Sequence, residues 1–259
     1  GIGGIYRHST NFRHLTGDAL AIAIRHGIEL QNINYVQIHP TTFYSKDDKT
    51  RSFLISESVR GEGAKLYGKN MERFANELLP RDLLSQKIHE QMAKDGTDFV
   101  WEDLRTIPAE TLRHHFPNIV EHCREMGYDV FKECIPVVPA QHYFMGGVKV
   151  DYQSRSSMEN LYVVGEAACN GVHGKNRLAS NSLLESLVFA RRAAQDMAEH
   201  DLKNASPQNA SEIADYLASH VDFTPYQDIQ TLAETYHHLA TQAITLGQNP
   251  EGRKEFLYV

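Results

Sequence analysis

The sequence predicts a mixed α/β (α+β) fold, and two observations predict it. Short β-branched apolar runs at residues 33–38, 53–55, 135–150 and 161–164 alternate with amphipathic stretches at 18–26 and 82–94. The stretch at 165–185, GEAACNGVHGKNRLASNSLLE, then carries the chain from a strand through a turn-rich loop into an apolar helix. With 259 residues, 41% hydrophobic and 23% charged, the chain can bury a substantial core in one large domain or two smaller ones.

Taken in order, residues 18–26 read as a short helix closed by Gly27, and 33–38 as a strand stopping at His39-Pro40. The charged segment 45–50 reads as a solvated loop, and 53–55 as another short strand leading into Ser56-Glu57. Residues 82–94 form an amphipathic helix, with Leu83, Leu84, Ile88 and Met92 on one side and Gly96 at its end. Residues 101–133 read as helical scaffold, with Pro108 and Pro117 in first turns. Strands follow over 135–150, interrupted at Met145-Gly146-Gly147, and 161–164 reads as a buried strand. Ser180, Asn181 and Ser182 are good N-cap residues for a helix carrying Leu183, Leu184, Leu187, Ala190, Ala194 and Met197. Residues 211–220 and 231–246 are helix candidates in a small C-terminal appendage.

Composition excludes several classes. A formal charge of −7 leaves no basic excess for a general nucleic-acid binder. An anionic small molecule would need a local cluster of cations in a cleft. Cys123, Cys134 and Cys169 have no CxxC spacing, which fits neither a zinc site nor a disulfide framework and suits a reducing cytoplasm. No apolar run approaches 18 residues, so no membrane segment is expected. The opening GIGGI has no initiator Met and reads as the middle of a longer chain.

Taken one at a time, the candidate residues have ordinary explanations. A His at a strand end, such as His39 or His142, is commonly a structural hydrogen bonder. Arg81 before a helix is commonly solvated, and Ser56-Glu57 can be a simple N-cap pair. Residues 165–185 are harder to explain that way, because Glu166, His173 and Arg177 all lie close to one helix entrance. Free N–H groups and a partial positive charge there suit an anion, or a ring that becomes anionic on reduction.

Read together, GGIY (3–6), TGDA (16–19), QIHPT (37–41), SESVRGEGA (56–64), LPRD (79–82), PAQHYFMGG (139–147) and LYVVGEAACNGVHGKNRLASNSLLES (161–186) resemble one family. It comprises L-aspartate oxidase and the flavoprotein subunits of succinate dehydrogenase and fumarate reductase. The ASNSLLE wording at 179–185 leans toward the aspartate-oxidising branch. The resemblance implies part of an FAD-binding dinucleotide-type domain (1–32 and 144–205), an inserted α+β capping domain (33–143) and a short helical C-terminal segment (206–259).

It further implies FAD as cofactor and a dicarboxylate substrate: L-aspartate, fumarate or succinate. Aspartate would be oxidised to iminoaspartate, with oxygen or fumarate as electron acceptor, in de novo NAD biosynthesis. By the same resemblance Arg81 is the proton carrier. His39, Ser56, Glu57, His142 and Arg177 contact substrate, while Glu166, Asn181, Ser182 and Leu183 face the flavin. Quinolinate synthase is the implied pathway partner.

The glycine-rich fingerprint that holds the ADP half of FAD is absent from this chain, since the third Gly of GxGxxG would fall on Tyr6. The chain alone is therefore expected to bind FAD weakly and to lack turnover. A fumarate reductase or succinate dehydrogenase flavoprotein, and a non-catalytic capping fragment that binds dicarboxylates, remain the alternative readings.

Overall fold

A computed structural model describes residues 1–46 and 51–201, so the helix candidates at 211–220 and 231–246 lie outside the described residues. The chain forms two compact units, Gly1–Ala193 and Ala194–Val259. Of the second, the description covers the end of one helix and a π-helical turn, Met197–Asp201.

The first unit contains two sheets. The larger has the order β2-β5-β4-β3, built from β2 (Val36–Phe43), β3 (Lys65–Tyr67), β4 (Val100–Asp103) and β5 (Ile135–Phe144), all antiparallel. The smaller has the order β1-β6-β7, from β1 (Leu30–Gln31), β6 (Gly147–Lys149) and β7 (Ala168–Cys169), with the β6–β7 pair parallel. The helices are α1 (Asp18–Arg25), α2 (Glu57–Gly61), α3 (Arg81–Asp95), α4 (Ala109–His115), α5 (Pro117–Glu125) and α6 (Asn181–Asp196).

Local chemistry sets these boundaries. Gly96 ends α3 in the left-handed conformation at φ +63, where a side chain is disfavoured. Pro117 occupies the first turn of α5, where its missing N–H is no loss. Three expectations are corrected. Strand β2 does not stop at His39 but runs through Pro40, because it is an edge strand whose register against β5 shifts between His39 and Thr42. A proline without an N–H is tolerated at such a bulge. Residues 100–103 form strand β4 rather than helix, paired on one side with β5 and on the other with β3. The runs at 53–55 and 161–164 form only isolated bridges, Thr42↔Leu54 and Arg155↔Tyr162, so neither becomes a named strand.

The large sheet packs a continuous core in which Ile55, Val59, Leu66, Leu84, Ile88, Leu104 and Leu112 are fully buried. The small sheet has a much smaller one, formed by Ala23, Ile28 and Val148.

Candidate active site

Strands β2 and β5 lie side by side, so His39 and His142 meet edge to face with ring centroids 5.3 Å apart. His39 is buried, and its Nδ1 lies 3.0 Å from the Thr41 carbonyl and 3.2 Å from the Thr41 N–H. His142 Nδ1 lies 2.8 Å from the Thr10 hydroxyl. Burial, followed by the neighbouring His142, Arg81 and Arg60, holds His39 well below the ordinary imidazole range. Burial and then Arg177 and Arg81 push His142 down to about 4. Both rings are therefore neutral at neutral pH and present themselves as hydrogen-bonding groups.

The first residue of α3 brings in Arg81. Its Nε donates to Glu57 Oε2 at 2.7 Å and its Nη1 to Gln37 Oε1 at 3.0 Å. Glu57 opens α2 behind Ser56, whose hydroxyl accepts the Ser58 N–H at 3.3 Å as an N-cap. Arg177 is buried and stacks over the Tyr143 ring at 4.4 Å, with Nη1 donating to the Leu178 carbonyl. Its Nε has no hydrogen-bond partner, and among the described residues the guanidinium makes no ion pair. Burial and then the charge of Arg81 lower its pKa.

Gln37, which sequence reasoning missed, joins these pieces. Its Oε1 accepts from Arg81, while its Nε2 donates to the Arg177 carbonyl at 2.8 Å and to Asn176 Oδ1 at 3.4 Å. The available signal was its position two residues before His39, since alternate residues of a strand share a face. Gln141 was also missed. It is buried, accepts from the Ser9 hydroxyl at 2.6 Å, and leaves its Nε2 without a partner.

A second cluster surrounds the start of α6. The Leu178 carbonyl accepts from both Arg177 Nη1 and the Asn181 N–H, which ties the arginine to the helix entrance. The Leu183 N–H reaches back to the Ser180 carbonyl at 3.3 Å, and Ser180 itself takes the left-handed φ of +65. The Ser182 carbonyl accepts from the Ser186 hydroxyl. Glu166 accepts the Phe144 N–H at 3.0 Å and is pushed up by burial. A side chain on Gly165 would come within 3.5 Å of Ser186 Oγ, so the 165–166 turn rests against the first turns of α6. His173 packs edge-on to Tyr143, and its Nε2 has no partner.

The structure thus brings His39, His142, Arg81, Glu57 and Arg177 into mutual electrostatic or hydrogen-bond reach and places Glu166 within the field of Arg177. Among the described residues Ser56 bonds only within α2's first turn, its hydroxyl to the Ser58 N–H and its carbonyl to the Val59 N–H. Chemically, the arrangement offers two guanidinium groups and two neutral imidazoles around one region, with Arg177 in no ion pair among the described residues. A buried cation without a carboxylate is costly unless an anion arrives.

A family model described as FAD binding domain matches residues 1–183. The chain is 56% identical over 197 residues to an L-aspartate oxidase of Clostridium perfringens, covering 76% of this chain and 45% of that protein. It is 44% identical over 213 residues to a chloroplastic L-aspartate oxidase of Oryza sativa subsp. japonica, covering 77% and 33%. Among solved structures it matches a quinol-fumarate reductase at TM-score 0.73 and 33% identity, covering 85% of this chain and 42% of that one. An E. coli quinol fumarate reductase matches at TM-score 0.72 and 32% identity, covering 84% and 42%. The chain therefore spans less than half the length of these relatives. Matched along most of its length in both sequence and fold, the chain belongs to the FAD binding domain family, among the flavoproteins related to L-aspartate oxidase and fumarate reductase.

Proposed function

We propose that this chain forms the substrate-holding and flavin-facing part of an FAD-dependent oxidase that converts L-aspartate to iminoaspartate. One observation carries the reading: Arg177 is buried, without an ion pair among the described residues, beside Arg81 and two imidazoles held neutral. A substrate with two carboxylates supplies the missing negative charge. Arg177 grips one carboxylate through parallel N–H bonds, with His142 donating beside it. His39, Ser56 and Glu57 contact the remainder of the substrate.

The residues fit the flavin half of FAD. Beside the entrance of α6, His173 is half-buried and its Nε2 is left without a hydrogen-bond partner. Glu166 suits the hydroxyls of the flavin's sugar-like chain. Asn181, Ser182 and Leu183 offer the positive end of a helix to the ring. FAD, when bound, supplies the two-electron acceptor for the substrate's α-hydrogen, with oxygen or fumarate as the final acceptor. No equivalent fit exists for the ADP half among the described residues, where Gly3–Ile5 is a single 3-10 turn. The chain alone is expected to bind FAD weakly.

Oxidising an amine also releases a proton. A guanidinium is a poor base, so Arg81 remains a cation that clamps the substrate. Its 2.7 Å bond to Glu57 puts a half-exposed carboxylate next to it, and the proton leaves by that carboxylate. We assign residues 33–143 to a capping domain and 1–32 and 144–205 to the FAD domain; the C-terminal segment 206–259 lies outside the described residues. No described helix is long and apolar enough to cross a membrane. We place the reaction in the cytoplasm, with quinolinate synthase consuming the product.

Calorimetric titration of the chain with succinate tests the site. Saturable binding that Arg177→Leu weakens at least about tenfold, about 1.4 kcal/mol, is the expected result. No binding to the unmodified chain would overturn the dicarboxylate reading. The fold shared with fumarate reductases supports a second reading. In a flavin-loaded longer protein that contains this chain, dye-linked oxidation of succinate but not of L-aspartate would establish that reading instead.

A further inference from the structure

On the far side of the Arg81–Gln37 contact lies a separate cavity of about 240 Å³, walled by α3, β2 and the loop before α6. Its lining includes Asp82, Ser85, His89, Lys175, Asn176 and Gln37. The cavity borders the cluster that would hold a dicarboxylate: Gln37 is shared, Asp82 follows Arg81, and Asn176 precedes Arg177 and accepts from Gln37.

Three features mark the cavity as built for a ligand. Ser85 is 4% exposed, yet its hydroxyl has no hydrogen-bond partner. A helical serine can return its hydroxyl to the carbonyl one turn back, and a buried hydroxyl left idle costs free energy that an arriving partner recovers. The rim carries opposite charges. Lys175 Nζ sits 5.3 Å over the Tyr35 ring and makes no ion pair among the described residues, while Asp82 accepts only the Asn176 amide, at 3.4 Å. Finally, both side-chain bonds of Asn176, to Asp82 and from Gln37, are 3.4 Å long, at the weak end of the hydrogen-bond range. An incoming polar group can exchange for them at little cost.

We propose that this cavity binds a small zwitterion of the α-amino acid class, with its ammonium at Asp82 and its carboxylate at Lys175 and the Asn176 amide. The Ser85 hydroxyl completes the shell. The volume falls below the roughly 300–1,000 Å³ of drug-sized pockets, which limits the occupant to a small molecule. The occupant carries both charges because the rim offers one cation, Lys175, and one carboxylate, Asp82. The site shares Gln37 with the dicarboxylate cluster, yet its charged groups, Asp82 and Lys175, are not among those assigned to the dicarboxylate, and it does not depend on the proposed reaction.

The test uses the full chain labelled with 15N, L-alanine as the probe, and two-dimensional amide spectra. Saturable shifts at Ser85, Gln86 and the Asn176 side-chain amide are expected. Lys175→Met and Asp82→Asn should each weaken binding about tenfold, about 1.4 kcal/mol. Acetate and methylammonium should each bind more weakly than L-alanine. The proposal is overturned by the absence of saturable shifts, by shifts confined to His39 and His142, or by unchanged affinity in both variants. Both substituted side chains are exposed, so the folds of the variants are expected to persist, and unchanged spectra elsewhere check this. Succinate added to the same sample keeps the two readings apart: a lost His142 response with an intact L-alanine response counts only against the aspartate reading.

Discussion

The two sheets of the first unit handle their apolar side chains in opposite ways. Around β2-β5-β4-β3 the core is closed, and Leu66, Leu84, Ile88 and Leu112 are wholly buried. Around β1-β6-β7 the buried apolar set is Ala23, Ile28 and Val148, and α6 turns its leucines outward, with Leu183 73%, Leu184 61% and Leu187 72% exposed. The side of α6 that faces the molecule carries Glu185, Phe189 and Ala193 instead. The large sheet thus satisfies itself, whereas α6 presents apolar surface that needs covering. Contiguous exposed apolar surface of this kind marks an interaction face.

Substitution breaks this comparison most directly. Leu84→Ala and Leu66→Ala should each cost about 2–5 kcal/mol in urea unfolding, through lost transfer energy and the cavity left behind. Leu187→Ala should stay within about 0.5 kcal/mol, as exposed positions do. Equal losses at the two places would mean that α6 is covered in solution and the contrast is false.

A smaller effect comes from pH. Glu102 on β4 is fully buried, neither carboxylate oxygen has a hydrogen-bond partner, and burial pushes its pKa up to about 8. In the unfolded chain the same group ionises near 4.3. Stability is therefore greatest below the unfolded value and falls as pH rises from about 4 to about 8, because the unfolded state releases the proton first. Urea unfolding at a series of pH values should show this decline, and Glu102→Gln should flatten it. A decline of the same slope in Glu102→Gln would assign it to other groups.

The smallest expected effect sharpens the same contrast from the surface. Lys87 and Glu90 pair at 2.8 Å on the exposed side of α3. Lys87→Met should change stability by less than about 0.5 kcal/mol, since solvent screens such pairs. A larger loss would show that α3 depends on more than its buried face.

Much of this was legible in advance, because it follows from local rules. The span of α3, the two strands around Met145-Gly146-Gly147, and the helix opened at Asn181 each follow from spacing, capping and turn residues. Parts that depend on pairing partners were harder to read. The continuation of β2 through Pro40 needs the bulge against β5, and the run at 161–164 stays out of a ladder although its residues favour strands. Glu102 was partly legible, since alternation along β4 puts it on the same face as buried Val100. Its burial was hidden by the helical reading of that stretch. The candidate site followed the same division. Arg177, Arg81 and the two histidines were recognisable from motifs, but the Gln37 bridge depends on three distant segments meeting.

The two crossings between the sheets lie together. The Met145 N–H donates to the Tyr35 carbonyl at 2.9 Å, and a side-chain carbon on Gly146 would strike the Asn32 carbonyl, while one on Gly147 would strike the Ala167 carbonyl within the small sheet. Glycine at this seam provides closeness rather than looseness. The paired crossings act as a weld, so any swing of one sheet against the other must bend both connections at once. A larger residue at Gly146 would pry the seam open and tilt the histidine-bearing strands away from Glu166 and the entrance of α6.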